Sequence, residues 1–415
     1  MKLSDELTWR GFVNQTTYKD ITSIDGDPIT FYWGVDPSAD SMTVGNFALA
    51  MMVRHFIDAG HRAVLLVGGA TGMIGDPDGK KQERELLSVD DIARNKAAIS
   101  KQYRRIFDGK DLEIVDNYDW FKDMGYLDFL REVGKHVPVR QMLGREFVQD
   151  RLGDEGSGIS YAEFSYALIQ GYDFLHLYRE KGATLQVAGS DQWGNCIAGV
   201  ELIRRIAGGE AHIWTAPLVI NKSTGVKFGK SEGGAIWLDP AKTTPTAFYQ
   251  FWINCDDAGV EDYLKVYTLL GKDELELVLA KHTENTGARY AQKRLAEEVT
   301  RLVHGDDALR TAQSVTACLI GDAPIGEASD SVLHALRAEI SSVQTAADAS
   351  MIAVLVNTGL ASSNGEARRL IAGNAISVNG VKTTDEKLNP GMFNNARMLV
   401  RRGKAFKDTA LVELV

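Results

Sequence analysis

Lys227-Phe228-Gly229-Lys230-Ser231 sets two cations three residues apart on what reads as a loop, suited to meeting negative charge. Far upstream, the stretch from Asp36 to Asn46, Asp-Pro-Ser-Ala-Asp-Ser-Met-Thr-Val-Gly-Asn, lies where a strand gives way to a helix. Gly45 falls in the first turn of that helix, whose free N–H groups and positive end favour phosphate. Without a side chain there, a planar base or a ribose can come up to the backbone. Tyr166, Gln170 and Asp173 share one stripe of a later helix, at i, i+4 and i+7. Phe164, Leu168, Ile169, Phe174, Leu175 and Leu177 make that helix apolar on nearly every face, which predicts burial. A phenol, an amide and a carboxylate buried together are costly without partners. The stripe is therefore either an internal polar network or the wall of a site for a polar ligand.

Two common nucleotide cradles are excluded. A P-loop ending at Gly79-Lys80 would need glycine at Ile74 and Ser or Thr at Lys81. The dinucleotide fingerprint fails because Val67 occupies its first position, before Gly69 and Gly72. Taken singly, the glycine-rich stretch 68–79 is equally a surface turn, and Lys227 and Lys230 are equally solvated lysines.

The elements that must carry these residues alternate. Strands are predicted over 28–35, 62–67, 184–187 and 212–220, and helices over 44–59, 89–107, 118–133, 163–181 and 190–206. This order predicts an α/β, doubly wound parallel sheet. From 245 to about 320 the pattern is helical, and 321–349 reads as a linker carrying one helix. The expected domains are 1–240 (Rossmann-like, catalytic), 241–320 (helical), the linker 321–349, and a small α+β domain over 350–415. In the last segment Ser363-Asn364-Gly365-Glu366 fits a helix capping box, and Asn379-Gly380 a type I′ hairpin turn.

The composition is that of an ordinary soluble protein, with a formal net charge of -10. From Ser350 onward, nine basic residues face five acidic ones, a surplus of four on a remainder of -14. Such asymmetry fits a small RNA-binding appendage on an acidic body. No apolar run reaches membrane-spanning length, and Met1 to Glu6 offers no apolar signal core. Cys196, Cys255 and Cys318 are scattered, with no Cys-x-x-Cys, so neither a disulfide framework nor a zinc site is predicted. The expectation is a cytoplasmic protein that binds neither membrane nor DNA.

The two segments above, together with Gly68 to Pro77 and Gly189-Ser190-Asp191-Gln192-Trp193-Gly194-Asn195, resemble the active site of the bacterial tyrosyl-tRNA synthetases, class I enzymes. The resemblance runs from about residue 5 to the C-terminus, where the helix and hairpin look like an S4-type RNA-binding domain. One departure stands out: the family writes His-Ile-Gly-His where this chain has Thr43-Val44-Gly45-Asn46.

The resemblance implies a tyrosine–tRNA ligase. L-tyrosine and ATP give tyrosyl-adenylate and pyrophosphate, and the tyrosyl group then passes to the 3′ end of tRNA(Tyr). ATP is a substrate with Mg2+, no cofactor is tightly bound, no protein metal site is implied, and a homodimer is expected through residues near 110–165. Lys80 and Arg84, with Lys227 and Lys230, match two loop pairs that clamp pyrophosphate, and Lys230 also belongs to the ATP site. As charge moves onto the leaving group, cations that close only then favour the transition state. Thr43, Asn46 and Ser38 complete the catalytic set. The Asn46 amide nitrogen can stand for a histidine donor, and Thr43 offers one shorter hydroxyl. Gly34, Asp36, Gly45 and Asp191 border ATP. Tyr32 and Asp173 meet the substrate phenol. Asp76, Tyr166 and Gln170 hold the ammonium, with Gln186 and Gln192 nearby. A site that hydrogen-bonds a substrate hydroxyl rejects the analogue lacking it, and tyrosyl-tRNA synthetases are themselves the standing example. Trp33 stands where relatives often carry a small residue beside the ribose; core packing explains it equally well. Two rival readings remain at this stage, an adenylate-forming paralogue with another acceptor and an RNA-binding regulator with a vestigial site.

Overall fold

The computed structural model describes residues 1–77, 86–153, 156–231, 234–403 and 408–415. They fall into two compact units, one of residues 1–242 and 256–291, the other of 243–255 and 292–415.

The first unit is built on a six-stranded sheet. Its strands run, in spatial order, Gln15–Thr16, His212–Ala216, Ala183–Gly189, Thr30–Val35, Arg62–Val67 and Leu112–Asp116. All neighbours are parallel except Gln15–Thr16, which pairs antiparallel with His212–Ala216. A strand covered on both faces should be apolar throughout, and all of Arg62–Val67 after Arg62 is buried. Phe31 meets Phe56 of helix Val44–Asp58 with ring centroids 5.2 Å apart, and Trp33 meets Tyr103 of helix Val89–Ile106 at 5.4 Å. Tyr32 points the other way, onto Phe174 of helix Tyr161–Lys181 at 5.1 Å. The doubly wound α/β arrangement predicted from the alternation is the one observed.

Helix Tyr161–Lys181 is fixed at both ends. Ser160 and Glu163 form a capping box, the Glu163 carboxylate also takes a fork from buried Arg151, and Gly182 closes the helix at φ 66°. Its Gly171 sits where a Cβ would lie 3.2 Å from the backbone of Ala198 and Gly199, so helix Trp193–Leu202 approaches closely and sets the depth of the polar stripe.

Some boundaries differ from the sequence expectation. The helix predicted over 118–133 breaks into Tyr118–Phe121 and Tyr126–Glu132, because Gly125 is extended at the second N-cap. The strand from His212 stops at Ala216, since Pro217 cannot donate to a ladder. Residues 190–206 begin with a 3-10 turn and end in a π-turn at Ile203–Ala207. Strand Leu112–Asp116 had no sequence expectation at all.

The second unit holds helices Pro245–Ile253, Asp306–Ile320 and Asp330–Glu339, most of Tyr290–His304, and a five-stranded sheet. In spatial order the strands are Val381–Lys382, Ile376–Val378, Arg397–Arg402, Thr409–Leu414 and Ser341–Thr345, the last two parallel. Helices Met351–Asn357 and Asn364–Ala372 cover a core that includes Leu355, Ile371, Ile376 and Val400. Ser363 accepts the amide of Glu366, and Asn379 and Gly380 take φ of 48° and 84°, as a type I′ turn requires. The stretch 321–349, read as a linker, contributes helix Asp330–Glu339 and the parallel edge strand.

Candidate active site

Strand order reverses between Thr30–Val35 and Ala183–Gly189, and side chains beyond the carboxyl ends of such strands can line a crevice. A cavity of about 230 Å3 lies there. Of the residues singled out in the sequence, Tyr32, Gly34, Asp36, Ser38, Asn46, Asp76, Tyr166, Gln170, Asp173, Gln186, Asp191 and Gln192 all border it. Gly34, Ser38 and Asp191 are exposed, whereas Tyr32, Asp173 and Gln186 are buried, so the site runs from an open side to a closed one. Thr43, Gly45 and Lys227 are not on its wall. Lys230 has a described backbone in the short strand Lys230–Ser231, while its side chain, with Lys80 and Arg84, lies outside the described residues.

Asp173 is held by two donors the sequence reading missed. Asn117 Nδ2 reaches its Oδ2 at 3.1 Å, and Trp120 Nε1 its Oδ1 at 2.9 Å. Burial pushes the Asp173 carboxyl well above the usual range; the two donors oppose this, and the charges of Asp36 and Asp116 add to it. Asn117 also donates to Thr71 Oγ1 at 3.0 Å, Thr71 donates to Asp36 Oδ1 at 2.6 Å, and Tyr166 donates to Asp36 Oδ2 at 2.7 Å. Burial, then the charges of Asp36 and Asp76, raise the Tyr166 phenol far beyond its ordinary value. It is a fixed donor at working pH. The signal that points to Asn117 is positional: it follows directly on strand Leu112–Asp116, at a carboxyl end.

Three polar atoms on the wall have no hydrogen-bond partner among the described residues: the Tyr32 hydroxyl, Gln170 Oε1 and Gln186 Oε1. Each such orphan costs about 1–3 kcal/mol. A hydroxyl and a carboxylate at the closed end, with the Gln186 carbonyl oxygen beside Tyr32 on the neighbouring strand and that of Gln170 on the helix, match a ligand bearing a hydroxyl and N–H donors. Asp76 takes Gln192 Nε2 at 2.6 Å and Asn195 Nδ2 at 3.5 Å. Asn195 in turn accepts from Arg145. With Asp36, Asp76 and Asp191 on the wall, the cavity suits an ammonium group.

At Thr43-Val44-Gly45-Asn46, Asn46 Oδ1 accepts both the Thr43 amide and the Thr43 hydroxyl, each at 3.0 Å. Thr43 and Asn46 thus pair with each other at the start of helix Val44–Asp58. The Thr43 proton is spent, and the group Asn46 has left for a ligand is its Nδ2 donor. A Cβ on Gly45 would meet nothing closer than Thr43 Oγ1 at 3.5 Å, so the chain's own packing does not demand glycine there. Lys227 Nζ rests 3.5 Å from Asp191 Oδ2. The Trp33 indole is buried against Tyr103 as core.

Residues 25–320 match the family described as "tRNA synthetases class I (W and Y)", and residues 333–407 match "Tyrosine--tRNA ligase SYY-like C-terminal domain". Tyrosine–tRNA ligases of Bacteroides fragilis (strain YCH46) and Bacillus caldotenax are 42% and 44% identical, each over 97% of this chain and 98% of the relative. The chain belongs to the tyrosine–tRNA ligase family. A C-terminally truncated mitochondrial tyrosyl-tRNA synthetase of Aspergillus nidulans superposes with a TM-score of 0.68 at 28% identity, over 75% of this chain and 92% of that one. A tyrosyl-tRNA synthetase of Archaeoglobus fulgidus complexed with L-tyrosine, at 0.55 and 15% identity over 75% of this chain and 99% of its own, shares the fold. Among the described residues of this family member, no three His, Cys, Asp or Glu side chains form a group able to hold a metal, and no helix is long and apolar enough to cross a membrane. Its three cysteines, Cys196, Cys255 and Cys318, are all buried.

Proposed function

We propose that this chain activates L-tyrosine with ATP and transfers it to the 3′ end of tRNA(Tyr). Family membership supports the two-step ligation. The observation that carries the choice of amino acid is the unpartnered, buried hydroxyl of Tyr32 on the same wall as Asp173. In this reading the substrate phenol lies between them, donating to the Asp173 carboxylate alongside Asn117 and Trp120 and accepting from Tyr32. The ammonium meets Asp76, Tyr166 and the orphan oxygen of Gln170, with Gln186 and Gln192 beside it.

The tyrosine carboxylate then attacks the α-phosphorus, and the bond to the β-phosphate breaks to release pyrophosphate. No general base is required; positioning and charge do the work. The N-terminus of helix Val44–Asp58, Asn46 Nδ2 and Ser38 face the phosphates and ribose, with Gly34, Asp36, Gly45 and Asp191 around the nucleotide. Thr43 fixes Asn46. Lys80, Arg84, Lys227 and Lys230 meet the pyrophosphate, and Lys227 leaves Asp191 to do so. Magnesium arrives on ATP as part of the substrate. A hydroxyl of the terminal tRNA ribose takes the tyrosyl group and releases AMP.

Residues 350–415 serve as the S4-like tRNA anchor, with exposed Arg368 and Arg369 on helix Asn364–Ala372, and 241–320 as a helical tRNA-binding domain. The exposed apolar side chains of Tyr126, Leu127, Val139 and Tyr161 support a homodimer through the 110–165 region, and the protein acts in the cytoplasm. The test is charging of purified tRNA with labelled tyrosine. The wild type should charge it in an ATP-dependent way, and Lys230→Ala should slow adenylate formation by about 100-fold with tyrosine affinity kept. A wild type unable to charge tRNA refutes the proposal.

A further inference from the structure

Helix Val89–Ile106 does more than cover the sheet. Its Asn95 and Gln102 are seven residues apart and share a face with Ile92 and Ile99. Each of the two amides reaches one end of the loop that runs from Asp36 to Thr43. Buried Asn95 donates through Nδ2 to the carbonyl of Pro37 at 2.9 Å. Gln102 accepts the amide of Met42 on Oε1 at 2.7 Å and donates through Nε2 to Ser41 Oγ at 2.9 Å. The network leaves Gln102 one amide orientation.

Ser41, itself buried, is a node. Its hydroxyl donates to the Met42 carbonyl at 2.9 Å and accepts the Asp239 amide at 3.1 Å. The segment after the lysine loop is laced to the same place: Leu238 N donates to Met42 O at 2.9 Å, and Val44 N to Ile236 O at 3.0 Å. Three separate stretches of chain therefore converge on Ser41-Met42, and one side chain, Gln102, ties the third of them in. Immediately after it come Thr43 and Asn46.

We infer that Gln102, through Ser41 and Met42, is a positioning residue for ATP: it holds the Thr43–Asn46 helix start at the place where nucleotide phosphates are met. Gln102 does not border the cavity, so it acts only through the loop. Neither of its contacts touches the closed end of the site, where Tyr32 and Asp173 lie. Its effect therefore falls on ATP and spares tyrosine. Small misplacements at a reacting centre cost large factors in rate, up to about 100-fold for a shift of about 1 Å.

This inference rests on the reading of the site as one for tyrosine and ATP. The test uses the full chain in tyrosine-dependent exchange of pyrophosphate into ATP. If the wild type shows no exchange, that reading fails; with exchange present, the variants judge Gln102 alone. Gln102→Met keeps length and removes both bonds. It should lower kcat/KM for ATP by about 10-fold, with the tyrosine Kd, read from intrinsic fluorescence, within about twofold of wild type. Gln102→Glu keeps the acceptor for the Met42 amide but loses the donor to Ser41 Oγ, and should retain an ATP efficiency between those of the wild type and Gln102→Met. Ser41→Ala should reproduce the ATP defect, and Ser41→Ala with Gln102→Met should be no worse than the larger single effect, since both act through one node. ATP kinetics unchanged in both single variants, or tyrosine affinity falling in step with ATP efficiency, would overturn it.

Discussion

Tyr32→Phe separates the cost of an orphaned hydroxyl from its use. The hydroxyl is buried in the ligand-free protein without a partner among the described residues, and burial raises its pKa well above 10. It cannot relieve its isolation by ionising. Removing it deletes one unsatisfied donor, which should stabilise the free protein by about 1–2 kcal/mol. The ring remains, so the packing on Phe174 at 5.1 Å is kept. With tyrosine bound, the same hydroxyl gains the substrate phenol, and its loss should lower kcat/KM for tyrosine by about 1–2 kcal/mol, roughly 5- to 30-fold. Phenylalanine makes no such bond and should be activated as well as before or better. The assays are urea unfolding of the free protein and pyrophosphate exchange with each amino acid in turn. A variant that is less stable than the wild type and discriminates as before would show that the hydroxyl has a partner in the free protein and none in the substrate.

Four further outcomes follow from the same geometry. Thr43→Val removes the hydroxyl that Asn46 Oδ1 accepts and should slow adenylate formation by about 10-fold in single-turnover measurements, with Thr43→Asn, which keeps a side-chain amide donor for Asn46, less affected; equal rates would detach the altered motif from ATP. In the proposed site the phenol donates to a carboxylate whose pKa burial has raised, so that tyrosine and a proton would compete for Asp173 and tyrosine affinity should fall as pH drops, starting above the ordinary carboxylate range; an affinity flat down to pH 4.5 would argue against that contact. Burial and the charge of Arg10 hold His55 at a pKa of about 4 while the unfolded chain takes its proton near 6.5, so stability is full above about pH 6.5 and declines as pH falls through that window, by about 2 kcal/mol between pH 7 and 5; His55→Gln should remove close to one proton from that pH slope in urea unfolding. Arg368→Glu with Arg369→Glu should weaken tRNA binding and reduce its salt slope while tyrosine activation is unchanged, and an unaltered slope would place the phosphate contacts elsewhere.

Much of the site was legible because it is carried by local patterns. Tyr166, Gln170 and Asp173 follow from helical spacing within one strongly apolar helix, and the Asn379-Gly380 turn from two residues that tolerate positive φ. Tyr32 and Asp36 came from a strand end and the family motif. What was missed crosses the fold. Asn117 and Trp120 lie 56 and 53 residues from Asp173, after a five-residue edge strand that is only half-buried and so shows little apolar signature. The pairing of Thr43 with Asn46 is local and follows the Thr-x-x-Asn spacing of a capped helix start, a signal that comparison with His-Ile-Gly-His hides. The parallel edge strand Ser341–Thr345 is polar and exposed, and only its long-range partner Thr409–Leu414 defines it.

The central claim is that this cavity selects tyrosine for activation by ATP. Exchange of labelled pyrophosphate into ATP by the purified wild-type protein, with tyrosine and then phenylalanine at equal concentration, tests it most directly. Rapid exchange is expected with tyrosine and almost none with phenylalanine. Exchange that is absent with tyrosine, or comparable with the two amino acids, would contradict it.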